Sequence, residues 1–140
     1  MQLKYDTSIM KYFSIFENTT KVLAKDCFSA NGTLIFSVEK GHAKIAVGKN
    51  GANIKKLSSM LNKEIKVIEF SKDIKELTKN AIFPLRVRSI EIEEGTINIS
   101  LKSSRDRRIL LDNNQKKLKL IEEILKRYDK NIKSVRILQM

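Results

Sequence analysis

The chain has 140 residues, 41% of them apolar, which is enough for one domain or two very small ones with cores of their own. Its 28 Lys and Arg against 16 Asp and Glu leave a net charge of +12, an excess that fits a polyanionic partner; nucleic acid fits better than a membrane, because no stretch approaches the roughly 20 apolar residues of a spanning helix. One cysteine, Cys27, excludes an internal disulfide, and one histidine, His42, excludes the usual His and Cys metal clusters, so no metal or other cofactor is expected.

The N-terminal MQLKYDTSIMKYF interrupts its apolar residues with charges too often for a signal peptide, and a cytoplasmic protein is expected. Asp6-Thr7-Ser8 can cap a helix carrying Ile9, Tyr12, Phe13 and Phe16 at helical spacing, fading at Asn18-Thr19-Thr20. That spacing assigns these aromatics, with Tyr5, to packing. Val22 to Ser29 and Thr33 to Val38 read as strands joined by the Asn31-Gly32 turn, a strong hairpin signal. Cys27 lies in the first of them as a small core residue. A short helix over His42 to Val47 follows, then Gly48-Lys49-Asn50-Gly51, then a helix over Ala52 to Leu61 with Ile54, Leu57 and Leu61 on one face and Asn53, Lys55 and Lys56 on the other. Glu64 to Phe70 alternates as a third strand.

The glycine loop carries the chemistry. Glycine lacks a Cβ, so Gly48 and Gly51 can take dihedrals closed to other residues and bring the backbone close to a polyanion. The helix beginning near Ala52 points its free N–H groups and positive dipole end to the same place. Lys49 adds a mobile cation and Asn50 an uncharged donor. A bare Gly-x-x-Gly also occurs at ordinary helix-turn-helix corners, so its weight depends on context.

The same order of elements then recurs with a period of about 65 residues. Ser71 can cap a helix from Lys72 to Ile82 that Pro84 stops, and the Pro84 region reads as the joint of the repeat. Arg86 to Glu93 and Thr96 to Leu101 alternate around a turn at Gly95. Ser103-Ser104 can cap a short helix, Arg105 to Leu111, Asp112-Asn113-Asn114-Gln115 makes a polar break, and Lys116 to Arg127 is amphipathic, before a last strand over Ile132 to Leu138. Two copies of one small α/β unit, residues 1–71 and 72–140, are therefore expected.

The order of elements, and the stretch GHAKIAVGKNGANIKKLSSMLNKEIKVIEFS above all, resembles the KH domain, whose Gly-x-x-Gly loop clamps about four nucleotides of a single strand. A helix before the first strand resembles the type II arrangement, and two such units in a chain of this length resemble the short archaeal NusA-like family of transcription factors. The resemblance implies an α/β (α+β) fold of two tandem type II KH domains, each a three-stranded sheet packed against helices. It implies single-stranded RNA as ligand and a role in transcription elongation, termination or antitermination, with RNA polymerase as a partner. Ribosomal RNA processing or ribosome assembly on ribosomal particles is the alternative, as is a protein-interaction module on the KH scaffold; a monomer is expected.

In register, Asp112-Asn113-Asn114-Gln115 stands where Gly48 to Gly51 stands in the first unit, so both glycines are lost and a carboxylate is gained. The phosphate-clamping role does not transfer to these four residues. Yet all seven arginines lie in the second half, which holds 17 basic against 10 acidic residues over 72–140, compared with 11 against 6 over 1–71. Arg105, Arg107 and Arg108 before the break, and Lys116 and Lys117 after it, are candidates for electrostatic RNA contact, or for a solvated face. In the first unit Ile45, Val47, Ile54 and Leu57 are candidates to line a base-binding groove beside the Glu64 to Phe70 strand; each also reads as core, Leu57 more readily than Val47 and Ile54. The acid pairs Glu93-Glu94 and Glu122-Glu123 are adjacent in sequence and are expected to diverge, as surface residues rather than a general acid and base. No Walker loop, metal motif or nucleophile elbow occurs, and a binding protein rather than an enzyme is expected.

Overall fold

A computed structural model describes residues 7–139; Tyr5 and the expected Asp6 cap lie outside them. The chain forms two compact units that divide between Phe70 and Ser71. The Phe83-Pro84 turn lies inside the second unit and is not the joint: Phe83 is extended (φ −45°, ψ 136°), as a residue before proline must be, and simply ends a helix.

In the first unit, α1 (Thr7–Thr20) packs through Phe16, whose ring stacks on Phe36 with centroids 4.2 Å apart. The Thr20 hydroxyl donates to the Phe16 carbonyl (2.8 Å) and accepts from the Val22 N–H (3.1 Å), while Lys21 turns left-handed (φ 61°). This turn consumes the start of the expected strand. Val22 is buried and Leu23 is 75% exposed, and pairing begins only with β1 (Asp26–Ala30). The Asn31-Gly32 turn (φ 45° and 83°) leads into antiparallel β2 (Thr33–Val38). Two helices, α2 (Ala43–Val47) and α3 (Ala52–Leu61), then carry the chain across to β3 (Glu64–Glu69), which pairs parallel with β2. A parallel pair requires such a crossover, and the glycine loop sits in the middle of it. Phe16, Cys27, Leu34, Phe36, Val38, Ala46 and Leu57 form the core. Each large side chain among them contributes roughly 1.5–3 kcal/mol by burial.

The second unit repeats the plan. Helix α4 (Ile74–Ile82) starts at Asp73, whose carboxylate accepts from the Lys75 N–H (3.1 Å), rather than at Ser71, whose hydroxyl accepts from the Asp73 N–H one step earlier. Strands β4 (Val87–Glu93) and β5 (Thr96–Leu101) pair antiparallel around Glu94-Gly95, and β6 (Ser134–Ile137) lies parallel to β5. Ile97, Ile99 and Leu101 face inward on β5, as the alternation required. Between β5 and β6 runs α5 (Ser104–Tyr128), capped by the Ser103 hydroxyl accepting from the Asp106 N–H (3.1 Å) and interrupted at residues 112–115. Leu110 before the interruption and Leu118, Ile121, Ile124 and Leu125 after it are buried. The whole is a mixed α/β architecture of two three-stranded sheets, β1-β2-β3 and β4-β5-β6, each packed with helices.

Candidate nucleic-acid interface

Gly48 ends α2 with φ 82° and ψ 167°, a combination essentially confined to glycine. Lys49 to Gly51 make a single 3-10 turn closed by the Gly51 N–H donating to the Gly48 carbonyl (3.1 Å), with Asn50 (φ 55°, ψ 27°) and Gly51 (φ 74°, ψ 19°) left-handed. Gly51 is then the N-cap of α3, and no side chain caps that helix; the Ala52 N–H donates back to the Lys49 carbonyl within the 3-10 turn, so the backbone of the loop itself leads into the helix. Lys49 and Asn50 are exposed on the turn and Lys55 on the next turn of α3. The positive end of α3 and two exposed lysines therefore lie at or next to the loop.

The two glycines are needed for different reasons. A Cβ on Gly51 would meet nothing within 4 Å, whereas a Cβ on Gly48 would lie 3.0 Å from the Asn53 backbone nitrogen and from two of its side-chain atoms. Asn53 itself reaches back across the loop, its Nδ2 donating to the Ile45 carbonyl at 3.3 Å.

Beside the loop, α2 and α3 both pack on β3, the outer strand of its sheet. Ile45 is 60% exposed, Val47 and Ile54 are half-buried, and Leu57 is fully buried. Ile45 thus offers an apolar surface, Val47 and Ile54 are partly accessible beside it, and Leu57 belongs to the core. Sequence reasoning missed Glu69, whose carboxylate accepts from the Ala43 N–H (3.2 Å) and pins the start of α2 to the end of β3. Only its place as the last residue of a strand, facing the start of a helix 26 positions earlier, could have flagged it. His42 occupies the N-cap position of α2 and is exposed.

The corresponding loop of the second unit shows what the loss of glycine does. Asp112 keeps the extended ψ of 166° but at φ −72°, and the left-handed conformation passes to Asn113, Asn114 and Gln115 (φ 53°, 57° and 62°). In the first unit positive φ falls on the first, third and fourth loop positions; here it falls on the second, third and fourth. Arg105, Arg108 and Lys117 are exposed around this loop, Lys116 is exposed beside it, and Arg107 is engaged, its Nε donating to the Leu138 carbonyl (3.2 Å).

A separate open cleft of about 370 Å³ in the second unit is lined by Glu93, Glu94, Thr96, Asn98 and Arg136. Glu93 and Glu94 are both exposed at its edge, Glu94 in the left-handed turn position (φ 47°). Its two carboxylates oppose phosphate. Glu122 is structural, bonding Lys126 (2.9 Å) and the Val135 N–H (3.1 Å). Among the described residues no group of three or more His, Cys, Asp or Glu is placed to hold a metal ion, and no helix is long and apolar enough to cross a membrane.

A Gly-x-x-Gly turn opening an uncapped helix, set between two helices on a three-stranded sheet, defines an RNA-binding module of the KH type. The KH domain model matches residues 12–137, and the chain belongs to that family. It is similar to proteins named probable transcription termination protein NusA. The Methanococcus vannielii protein is 30% identical over 94 residues, 67% of this chain and 54% of that protein. The match thus spans about half the length of that relative. The Methanocaldococcus jannaschii protein is 27% identical over 125 residues (87% and 68%), and the Thermoplasma acidophilum protein 24% over 142 (99% and 97%). The crystal structure of APE1850 superposes with a TM-score of 0.79 at 28% identity, covering 96% of this chain and 100% of that one.

Proposed function

We propose that the chain is a single-stranded RNA-binding protein of two tandem type II KH domains that acts on transcription termination or elongation. RNA is gripped at Gly48, Lys49, Asn50 and Gly51, with Ile45, Val47 and Ile54 toward the bases and Lys55 along the strand. The observation that carries this reading is the loop itself: Gly-only dihedrals at Gly48, a left-handed Asn50 and Gly51, and an uncapped α3 behind them. Arg105, Arg108, Lys116 and Lys117 extend the electrostatic contact without a clamp. The role in transcription is taken from the names of the relatives, and RNA polymerase as partner is what such a role implies; catalysis has no part in the reading, and the protein acts as a monomer in the cytoplasm.

The test is a fluorescence titration with a short single-stranded RNA at several salt concentrations, using wild type, Gly51→Asp and Lys49→Ala. A side chain at 51 enters open space, and its left-handed backbone costs only about 1–2 kcal/mol, so a Gly51→Asp variant shown to be folded weakens binding through repulsion of phosphate. Lys49→Ala makes the logarithmic salt slope shallower by about 0.7, the value for one phosphate contact on a single strand. A folded Gly51→Asp variant that binds as tightly as wild type refutes the grip. Co-purification of ribosomal particles in place of RNA polymerase from native cells refutes the transcription role.

A further inference from the structure

We infer that Asn53 is a positioning residue that latches the loop shut before RNA arrives, with Gly48 as its seat, rather than a direct RNA contact; this rests on the reading of the loop as the phosphate grip. Two observations converge. The Asn53 Nδ2 donates to the Ile45 carbonyl (3.3 Å), joining the first turn of α3 to the middle of α2 across the loop. That bond engages one of the two Nδ2 hydrogens and fixes the direction of the amide. Finally, Asn53 fills the space where any side chain at 48 would stand, at 3.0 Å from both its backbone and its side chain. Gly48 is thus required by Asn53 as well as by its own dihedrals. The ligand feels the pair only through the loop they hold.

The second unit supports the pairing. There Asp112 and Lys117 stand where Gly48 and Asn53 stand in the first, so seat and latch are replaced together. With neither present, the first loop position reverts to negative φ and the second becomes left-handed. A latch that merely decorated the loop would not be expected to leave with its seat, nor its departure to coincide with a different backbone path.

The test compares wild type with Asn53→Leu, which keeps the side-chain shape and removes the donor, and with Asn53→Ala, by ¹⁵N relaxation of the RNA-free protein and by titration with hexauridylate. Both variants lower the heteronuclear NOE at the Gly48 and Gly51 amides before any RNA is added, and both weaken binding by about three- to tenfold, the size expected for one exposed hydrogen bond. The salt slope stays at the wild-type value, unlike that of Lys49→Ala. Weakened binding with an unchanged free loop makes Asn53 a direct contact and overturns the inference. A loosened loop with unchanged affinity overturns it as well. If wild type itself binds no RNA, the functional reading has failed, and the relaxation data alone decide whether Asn53 holds the loop.

Discussion

Replacing each loop glycine by alanine separates the two demands that the grip places on its backbone. At Gly51 the left-handed conformation (φ 74°, ψ 19°) costs an alanine about 1 kcal/mol, and the new methyl meets nothing within 4 Å. Stiffening the unfolded chain returns only part of that, so Gly51→Ala costs about 1 kcal/mol or less. Gly48 is in a region (φ 82°, ψ 167°) closed to L residues, at a cost of about 1–3 kcal/mol. Its Cβ would also press on Asn53 at 3.0 Å, one of the three atoms being main-chain nitrogen that cannot swing aside. The net expectation for Gly48→Ala is a loss of about 2 kcal/mol, after the same unfolded-state return. Urea unfolding followed through NMR signals of first-unit residues reads this without interference from the second unit. Equal losses at the two positions, or a larger loss at Gly51, would refute the assignment of separate roles.

Two further outcomes follow from the second unit. Gln115 is held left-handed (φ 62°) with neither a short polar side chain nor a missing Cβ to ease it, so Gln115→Gly stabilises that unit by about 0.5–1 kcal/mol in urea unfolding, and an unchanged or lower midpoint counts against the strain. Ser103→Ala removes the cap at the start of α5 and costs about 1 kcal/mol, detectable as faster hydrogen exchange of the Asp106 amide; protection equal to wild type would show that the cap is dispensable.

The sequence made the regular elements readable wherever one local force dominated. The Asn31-Gly32 turn, the alternation in Thr96 to Leu101 and the apolar face of Ala52 to Leu61 each show one clear pattern, and the structure follows them. It departs where a side chain competes with the backbone. Thr20 folds the chain back on itself, so the first strand starts at Asp26 rather than Val22, and Asp73 captures the helix start that Ser71 also offered. The candidate site was legible as a motif but not as a mechanism. Glycine spacing pointed to Gly48 and Gly51 alike, yet only the three-dimensional neighbour, Asn53, distinguishes them, and a polar residue on a helix face reads equally as contact or as brace. The left-handed run at Asn113, Asn114 and Gln115 was hidden for the same reason: glutamine carries no signal for positive φ.

The position of the grip inside the crossover has a thermodynamic consequence. The loop lies in the segment joining β2 to β3, and Glu69 at the end of β3 holds the start of α2. Parting the parallel pair therefore also strains the segment that carries the glycine loop. By mass action, free energy of binding at the loop becomes free energy of sheet closure, so an occupied first unit resists local opening more than an empty one. A ligand bound at the loop would then act as a structural element of the sheet behind it.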